Sequence, residues 1–408
     1  MPPPAPDFRP RLRPEVAAVP AKTFGHVTLL DPRRIARGQL TLARHALNLV
    51  KLFDGSLTVR EIQLASLAAT GGVFVSLEQV GELVQALDDA LFLDSPAFRE
   101  FLHGPVRPPA CIGCYPEDPA EIRALFRDLF VGRGGPGLPA ANPAPSPHGR
   151  LRAALLPHMD YARGGVTYGW GFRELVEQTD ARLFVVVATS HYSPHRFTLT
   201  RRNFSSPLGV VETDAAYVDR IAAAYGDAVF DDPYAHVPEH SIELEVVLLQ
   251  YLLENREPFR IVPLLVGSFG DCVDRQTSPA AFEDVSRMVS ALRSAEAAAG
   301  EPVCYLISGD LAHIGPKFDD PDPVNAAWLA ESRTQDQKIL DRLNAADPTG
   351  YFRTIADEND ARRICGLPPT WLTLEVLKPR TGRVLHYNRY VHPHGHESVS
   401  FAAAAFYE

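Results

Sequence analysis

Downstream of residue 150 the chain alternates continuous apolar runs with segments that carry apolar residues at helical spacing. The runs predict strands, and the segments between them predict amphipathic helices. The strand-like segments are RAALLPH, LFVVVATSH, FRIVPLLVGSF and VCYLISGD, and the helix-like ones include GFRELVEQT and AAYVDRIAAAYG. Apolar strands separated by helices are typical of a mainly parallel sheet covered on both faces, so the predicted class is α/β.

Helical periodicity dominates the first 105 residues instead. VTLLDP predicts a short strand, LTLARHALNLVKLF predicts a helix, and a second helix is expected from Thr58. SLEQVGELVQALDDALFL predicts a third helix with Ser76 as its N-cap. We therefore predict a small, mostly helical domain at residues 1–105 and a larger α/β domain at residues 106–408.

The overall composition and the position of a proline- and glycine-rich segment agree with this division. Residues 132–149, GRGGPGLPAANPAPSPHG, are too rich in proline and glycine for the interior of a helix or strand, so they predict a loop or linker. The 408 residues are 46% hydrophobic and 22% charged, as in an ordinary soluble globular protein. No apolar run approaches the ~18 residues of a membrane span, and MPPPAPDFRPRLRPEV lacks the apolar region of a secretory signal. We expect a cytoplasmic protein without a membrane partner.

Net charge indicates which partners are expected, and cysteine content indicates whether disulfides are expected. Fifty acidic against forty basic residues give a net charge of -10, which disfavours a nucleic-acid partner. The five cysteines are odd in number and scattered along a large chain. A cytoplasmic protein would keep them reduced, so thiols are expected and not a disulfide framework.

Polar groups follow three of the predicted strands at the points where these strands end. RAALLPHMD delivers His158 and Asp160, LFVVVATSH delivers His191, and VCYLISGDLAH delivers Asp310 and His313. Because the carboxyl ends of parallel strands open into one crevice, we expect these groups to lie close together. Imidazoles and carboxylates there can bind a divalent transition metal and leave coordination positions open. The alternative is that each histidine only caps its strand through hydrogen bonds.

A longer set of motifs points to a family. The motifs are CYPEDPAEIRALF, LPHMDYARGGVTYG, ATSHYSPHRFTL, SSPLGVVETD, EHSIELEVVLLQYL, RIVPLLVG, SGDLAHIG, ICG and ESVSFAAAAFYE. In this order, from Cys111 to the C-terminus, they resemble the Memo family, known in bacteria as AmmeMemoRadiSam system protein B. The resemblance implies the fold of the class III extradiol dioxygenases, which use a non-haem iron site, although the Memo family has no firmly assigned general reaction.

The resemblance also implies a ligand set of two imidazoles and a thiolate. His158 of LPHMD, His191 of ATSH and Cys365 of ICG fall on family metal ligands. Iron is the favoured divalent transition metal, with copper or zinc as alternatives, because a sulfur ligand admits all three. A helix beginning near Pro368 would place its positive end beside the Cys365 sulfur and favour the thiolate.

Groups that handle protons are implied beside the metal. His313 of SGDLAH is the candidate acid or base, and Asp310 is its orienting partner. His240 and Glu243 of EHSIELE are spaced by one helical turn and are expected to face the same cleft, with His240 the stronger candidate for catalysis. Glu243 is otherwise a local cap or ion-pair partner.

Three further positions keep alternatives open. The chain reads PHMDY where the family usually reads PHAGY, so Asp160 is an extra ligand, a base or an outer partner of His158. Cys114 stands where the family often has tryptophan and forms a C-x-x-C with Cys111, which is interpreted as structural, with redox or zinc chemistry as the alternative. His195 is either an outer partner of the site or a loop residue.

The first 105 residues resemble PqqD-like winged-helix domains in the order of VTLLDP, ALNLVKLFDGSLTVREI and SLEQVGELVQALDDALFL. Such domains add a segment of a partner beside one of their strands, which implies a peptide or protein partner for residues 1–105. Two functions are therefore expected. One is a metal-dependent redox enzyme resembling extradiol dioxygenases, and the other is a non-catalytic metal-binding partner or scaffold in an assembly with radical-SAM proteins.

Overall fold

The computed structural model describes residues 5–408, so the first four residues of the segment compared with secretory signals lie outside it. The chain divides after Gly104 into two compact units. Within residues 5–104 the first unit has a three-stranded antiparallel sheet, ordered as it occurs in the chain, and four helices. Its elements are β1 (Ala17–Pro20), β2 (His26–Leu30), β3 (Leu40–Ala43), α1 (Arg44–Val50), α2 (Val59–Ala69), α3 (Leu77–Asp89) and α4 (Pro96–His103).

The first unit differs from its prediction at β3, and the short elements β1 and α4 were not predicted. The segment LTLARHALNLVKLF was predicted to be one helix, but its first four residues form β3 and only then does α1 begin. Thr41 of β3 hydrogen-bonds Thr28 of β2 through their side chains at 3.1 Å, and such cross-strand pairs outweigh helical spacing in a run this short. The starts of α2 and α3 agree with prediction, because Thr58 and Ser76 each complete a capping box.

The second unit is built on one large sheet flanked by helices. Within residues 105–408 this sheet has eleven strands. The strands are β4 (Val106–Arg107), β5 (Leu151–Leu156), β6 (Leu183–Thr189), β7 (Phe197–Leu199), β8 (Asn203–Ser206), β9 (Gly209–Thr213), β10 (Arg260–Val266), β11 (Val303–Ser308), β12 (His313–Ile314), β13 (Thr381–Val391) and β14 (Ser398–Tyr407). The helices are α5 (Pro119–Val131), α6 (Tyr161–Gly164), α7 (Val166–Gln178), α8 (Ala215–Tyr225), α9 (Ser241–Leu253), α10 (Gly270–Asp274), α11 (Glu283–Ala297), α12 (Ala326–Asn344), α13 (Pro348–Ala356) and α14 (Leu367–Leu377).

Strand direction changes from the centre of this sheet to its outer parts. The centre is parallel, in the order β5-β11-β6-β10-β9. Outside it, β14 runs antiparallel to β5 and forms a hairpin with β13, and β7 and β8 are antiparallel to their neighbours β10 and β9. The predicted α/β fold is confirmed, and its sheet is mixed with a parallel centre.

Helices cover both faces of the sheet, as the continuous apolar strands predict. In β6, Val185 and Val187 pack into a core shared with α8, α11 and α14, while Phe184 and Val186 pack into a second core with α5, α7 and α9. The carboxyl ends of the central strands are therefore left as the edge where polar groups can gather. Among residues 5–408 no helix combines the length and apolarity needed to cross a bilayer.

The proline-rich stretch at residues 132–149 lies inside the second unit. It follows α5, which ends at Val131, and it precedes β5, so it is a loop within this unit. Glycine and proline interrupt backbone hydrogen bonding often enough to prevent a regular element there.

The expectation that all cysteines are thiols is wrong for Cys111 and Cys114, which are joined by a disulfide. A tight turn brings them together, since the Cys114 N–H donates to the Cys111 carbonyl at 2.9 Å. Cys272, Cys304 and Cys365 are free thiols.

A buried ion pair anchors β4 to α9. The Glu243 carboxylate accepts hydrogen bonds from the Arg107 guanidinium, the Tyr115 hydroxyl and the backbone N–H groups of Ala110 and Cys111. The Arg107 and Glu243 side chains are only 0% and 2% exposed. Four donors hold Glu243 toward residues 107–115, so it does not share a cleft with His240 as expected.

Replacing Glu243 with alanine should strongly destabilise the second unit, because it leaves the Arg107 charge buried without a counter-ion. We expect the free energy of unfolding to fall by about 3–5 kcal/mol in urea denaturation. Glu408→Ala is the matched control, since that carboxylate is half exposed, pairs with the exposed Arg150, and leaves its second partner Arg152 still paired with Glu296. It should contribute at most about 1 kcal/mol. Equal decreases in the two variants would contradict this account of the pair.

Candidate metal centre

The polar groups of the site lie just after the ends of three adjacent strands. His158 follows β5 by two residues, His191 follows β6 by two, and Asp310 follows β11 by two. The strand β11 lies between β5 and β6, and all three run parallel. Their carboxyl ends therefore bring the three side chains to one place, as the sequence predicted.

Three histidines form the first of two groups at this edge. The ring of His158 lies 5.0 Å from that of His191 and 5.5 Å from that of His240, and the rings of His191 and His240 are 4.8 Å apart. One ring nitrogen of each falls within 4.8 Å of the others, close enough to hold one metal ion. The His158 side chain is 3% exposed, whereas those of His191 and His240 are 29% and 26% exposed. The group is thus buried on one side and reachable on the other.

Glu239 organises this group and was missed by the sequence analysis. Its carboxylate accepts hydrogen bonds from the His191 N–H at 2.7 Å, the His191 Nδ1 at 2.9 Å and the His240 N–H at 3.0 Å, and the His240 Nδ1 lies 3.2 Å away. Burial opposes its charge, but the two histidines hold the pKa of Glu239 well below its usual range. A carboxylate at Nδ1 leaves Nε2 of each ring for a metal, the usual arrangement for histidine ligands.

His158 also belongs to a second group, with Asp310 and Cys365. The Cys365 Sγ lies 3.2 Å from the His158 Nε2, and an Asp310 carboxylate oxygen lies 3.6 Å from the same nitrogen. His191 and Cys365, the two other ligands implied by the resemblance, therefore fall in different groups that share His158. His240 and Asp310 stand beside them as further donors.

Two glycines allow Cys365 to approach Asp310. A Cβ on Gly309 would lie 2.5 Å from the Gly366 Cα, and one on Gly366 would lie 2.7 Å from the Asp310 carbonyl oxygen. The Gly366 N–H donates to that carbonyl at 2.9 Å, and the Asp310 N–H donates to the Cys365 sulfur at 3.3 Å. Any side chain at either position would force the segments around Asp310 and Cys365 apart. This explains why glycine precedes Asp310 in SGD and follows Cys365 in ICG.

Burial sets the protonation of the second group. Burial, together with the two neighbouring histidines, holds the pKa of His158 well below its usual range, so the ring is neutral and able to act as a ligand. Burial raises the pKa of Asp310 to about 7 and raises that of Cys365 above its usual range. The helix α14 begins two residues after Cys365, near the expected start, and burial opposes the thiolate that this helix would favour by holding the pKa of Cys365 above its usual range.

His313 is oriented by backbone carbonyls and not by Asp310 as expected. Its Nδ1 lies 3.0 Å from the carbonyl oxygens of Leu311 and Arg363, so Nδ1 carries the proton and Nε2 the lone pair. Burial lowers the pKa of His313 to about 4. Asp310 instead accepts a hydrogen bond from the His158 N–H at 3.2 Å.

The other candidate residues lie outside both groups. Asp160 caps α6 and pairs with Arg163, which accounts for its carboxylate without a metal. The His195 N–H donates to the Ser193 hydroxyl at 3.2 Å within the loop after β6. The histidines of residues 392–396 lie in the loop between β13 and β14, with rings 5.1 to 6.4 Å apart. Neither Asp160, His195 nor this loop enters a metal-ligating group in the part of the chain that the structure describes.

The donor set fits a divalent transition metal. Imidazole nitrogen, carboxylate oxygen and sulfur together suit iron, copper or zinc better than the oxygen-preferring Mg²⁺ or Ca²⁺. The convergence of the buried Asp310 carboxylate and the partly buried Cys365 sulfur on the His158 Nε2 is the structural observation behind this match.

Comparison with known proteins shows similarity to one family. Residues 107–405 match the model of a family described as Memo-like protein. A MEMO1 family protein of Aquifex aeolicus is 24% identical over 372 residues, covering 88% of this chain and 90% of the relative. MEMO1 family proteins of Methanothermobacter thermautotrophicus and Ignicoccus hospitalis are 28% and 29% identical, covering 66% and 67% of this chain and 87% of each relative. The family match spans most of the chain and includes both candidate metal-ligating groups, so this chain belongs to the Memo family.

Proposed function

We propose that the protein binds a divalent transition metal at His158 and uses it in redox chemistry on a small substrate. The position of His158 carries the proposal, because this buried, neutral ring lies within reach of donors on both sides. Iron is the favoured metal, with copper or zinc as alternatives. The resemblance to class III extradiol dioxygenases supports iron and an oxygen-dependent reaction.

Different residues of the chain would hold the metal, orient its ligands and accept a proton. His158, His191 and Cys365 would hold the metal, with His240 and Asp310 as further donors at the same edge. Iron held by such a set would supply one-electron and oxygen chemistry there. Glu239 fixes the rings of His191 and His240, and His313 would accept a proton at Nε2 from a bound substrate.

A second function is a non-catalytic role as a metal-binding partner or scaffold. The first unit supports it, because β1 is an edge strand whose residues are largely exposed, and an exposed edge can pair with a strand of another protein. The resemblance to PqqD-like domains and to AmmeMemoRadiSam system protein B makes a radical-SAM protein the partner to test. Oxygen uptake with a catechol would favour the enzyme, whereas binding of a radical-SAM protein that requires residues 1–105 would favour the scaffold.

His158→Ala should abolish metal binding, because it removes the one ligand common to both groups. Wild-type protein purified without oxygen should hold close to one equivalent of metal per chain by elemental analysis, and Cys365→Ser should hold markedly less. His45→Ala, an exposed histidine of α1, is the matched control and should keep the wild-type content. Equal metal content in wild type and His158→Ala would overturn the site.

Metal affinity should rise as the pH is raised from about 6 to 8. Asp310 has a pKa of about 7 and the pKa of Cys365 is raised, so both hold protons at low pH that a bound metal must displace. Competition titrations with a chelator at several pH values measure this slope, which Cys365→Ser should make shallower. An affinity independent of pH would show that neither group is a ligand.

A further inference from the structure

The disulfide between Cys111 and Cys114 lies at the surface of the second unit. Both cysteines are partly exposed, and the Ile112 side chain between them is 45% exposed. A dithiol can therefore reach the sulfurs in the folded protein. The C-x-x-C spacing is also the one found in thioredoxin-like redox motifs.

The turn that carries this disulfide is attached to the interior through Glu243. The Cys111 N–H donates to the Glu243 carboxylate at 3.0 Å and the Ala110 N–H at 2.8 Å, and the Tyr115 hydroxyl also donates to it. Three of the four donors that neutralise this buried carboxylate thus belong to residues 110–115. The position of the turn and the position of Glu243 are consequently linked.

Arg107 extends this link to the metal centre. Besides Glu243, its guanidinium donates to the backbone carbonyls of His236 and Glu239. The Glu239 side chain in turn holds the rings of His191 and His240. We call Glu243, Arg107 and Glu239 the buried relay, because they form a continuous set of contacts from the disulfide turn to the histidine group.

We propose that Cys111 and Cys114 form a reversible thiol–disulfide exchange site whose oxidation state sets the metal affinity of the histidine group through the buried relay. The coupling rests on the proposed metal-binding function, whereas the exchange itself does not. The disulfide closes the turn and keeps its N–H groups on Glu243. Opening it releases this constraint, so the oxidised protein binds metal more tightly than the reduced one.

The exchange balances with a dithiol as the reductant. A reagent thiolate attacks one protein sulfur, the S–S bond breaks, and a mixed disulfide forms while the other protein sulfur leaves as a thiolate. The second reagent thiol then displaces the remaining protein sulfur. The protein gains two electrons and two protons, and the reagent becomes a disulfide.

The exchange is tested by equilibrating the full chain with mixtures of reduced and oxidised dithiothreitol. After acid quenching and alkylation, mass spectrometry measures the reduced fraction of the peptide containing Cys111 and Cys114, and Cys365 is followed separately. We expect a reversible partition in the native protein. A disulfide that is reduced only after denaturation would overturn the exchange site.

The coupling is tested by titrating zinc, which is redox-inert, into oxidised and reduced protein against a chromogenic chelator after the reductant has been removed. We expect the oxidised protein to bind roughly 2- to 30-fold more tightly. Tyr115→Phe keeps the disulfide but removes one hydrogen bond to Glu243, so it should reduce this ratio. Zinc that binds to the reduced Cys111 and Cys114 themselves would also bind to His158→Ala. The zinc bound by this variant is therefore subtracted from that bound by the reduced wild type.

Cys111→Ser/Cys114→Ser is the control for the other thiols, and its affinity should be the same after both treatments. A difference in affinity that this variant retains would arise from the remaining thiols and would overturn the coupling. Equal zinc binding by oxidised and reduced wild type would also overturn the coupling while leaving the metal site in place. No zinc binding in either form would overturn the proposed function and the coupling together, and the exchange site would still be judged by mass spectrometry.

Discussion

The candidate metal centre depends on one buried carboxylate. Glu239 is 1% exposed, and its charge is kept in the interior only because two imidazoles and several backbone N–H groups surround it. The same contacts fix the tautomers of His191 and His240 and direct their Nε2 atoms away from the carboxylate. The Glu239 carboxylate, which is costly to bury, thus fixes the orientation of two candidate metal ligands.

The fold brings this carboxylate opposite a second set of donors. Parallel strands end at one edge and deliver His158, His191 and Asp310, while the close contact of Gly309 and Gly366 brings Cys365 to the same edge. His158 lies where the two sets meet. The large apolar core on both faces of the sheet holds these strand ends in place, so the fold alone positions the candidate ligands.

The sequence predicted the central strands because continuous apolar runs leave few alternatives, and it predicted the meeting of His158, His191 and Asp310 because parallel strands share an edge. It did not predict the partners of the carboxylates. Glu239 and Glu243 stand four residues apart in the same motif, yet one holds two histidines and the other holds Arg107. Tertiary contacts with distant segments decide this, and periodicity carries no information about them. The strand β3 was missed for the same reason, since its pairing with β2 outweighs its local helical pattern.

The most direct test of the account is a crystal structure of the metal-loaded protein with anomalous diffraction measured at the absorption edge of the bound metal. The account predicts a single strong peak within bonding distance of the His158 Nε2, about 2.0–2.2 Å away, with further ligands drawn from His191, His240, Asp310 and Cys365. A peak in the histidine loop at residues 392–396 with none at His158 would contradict it.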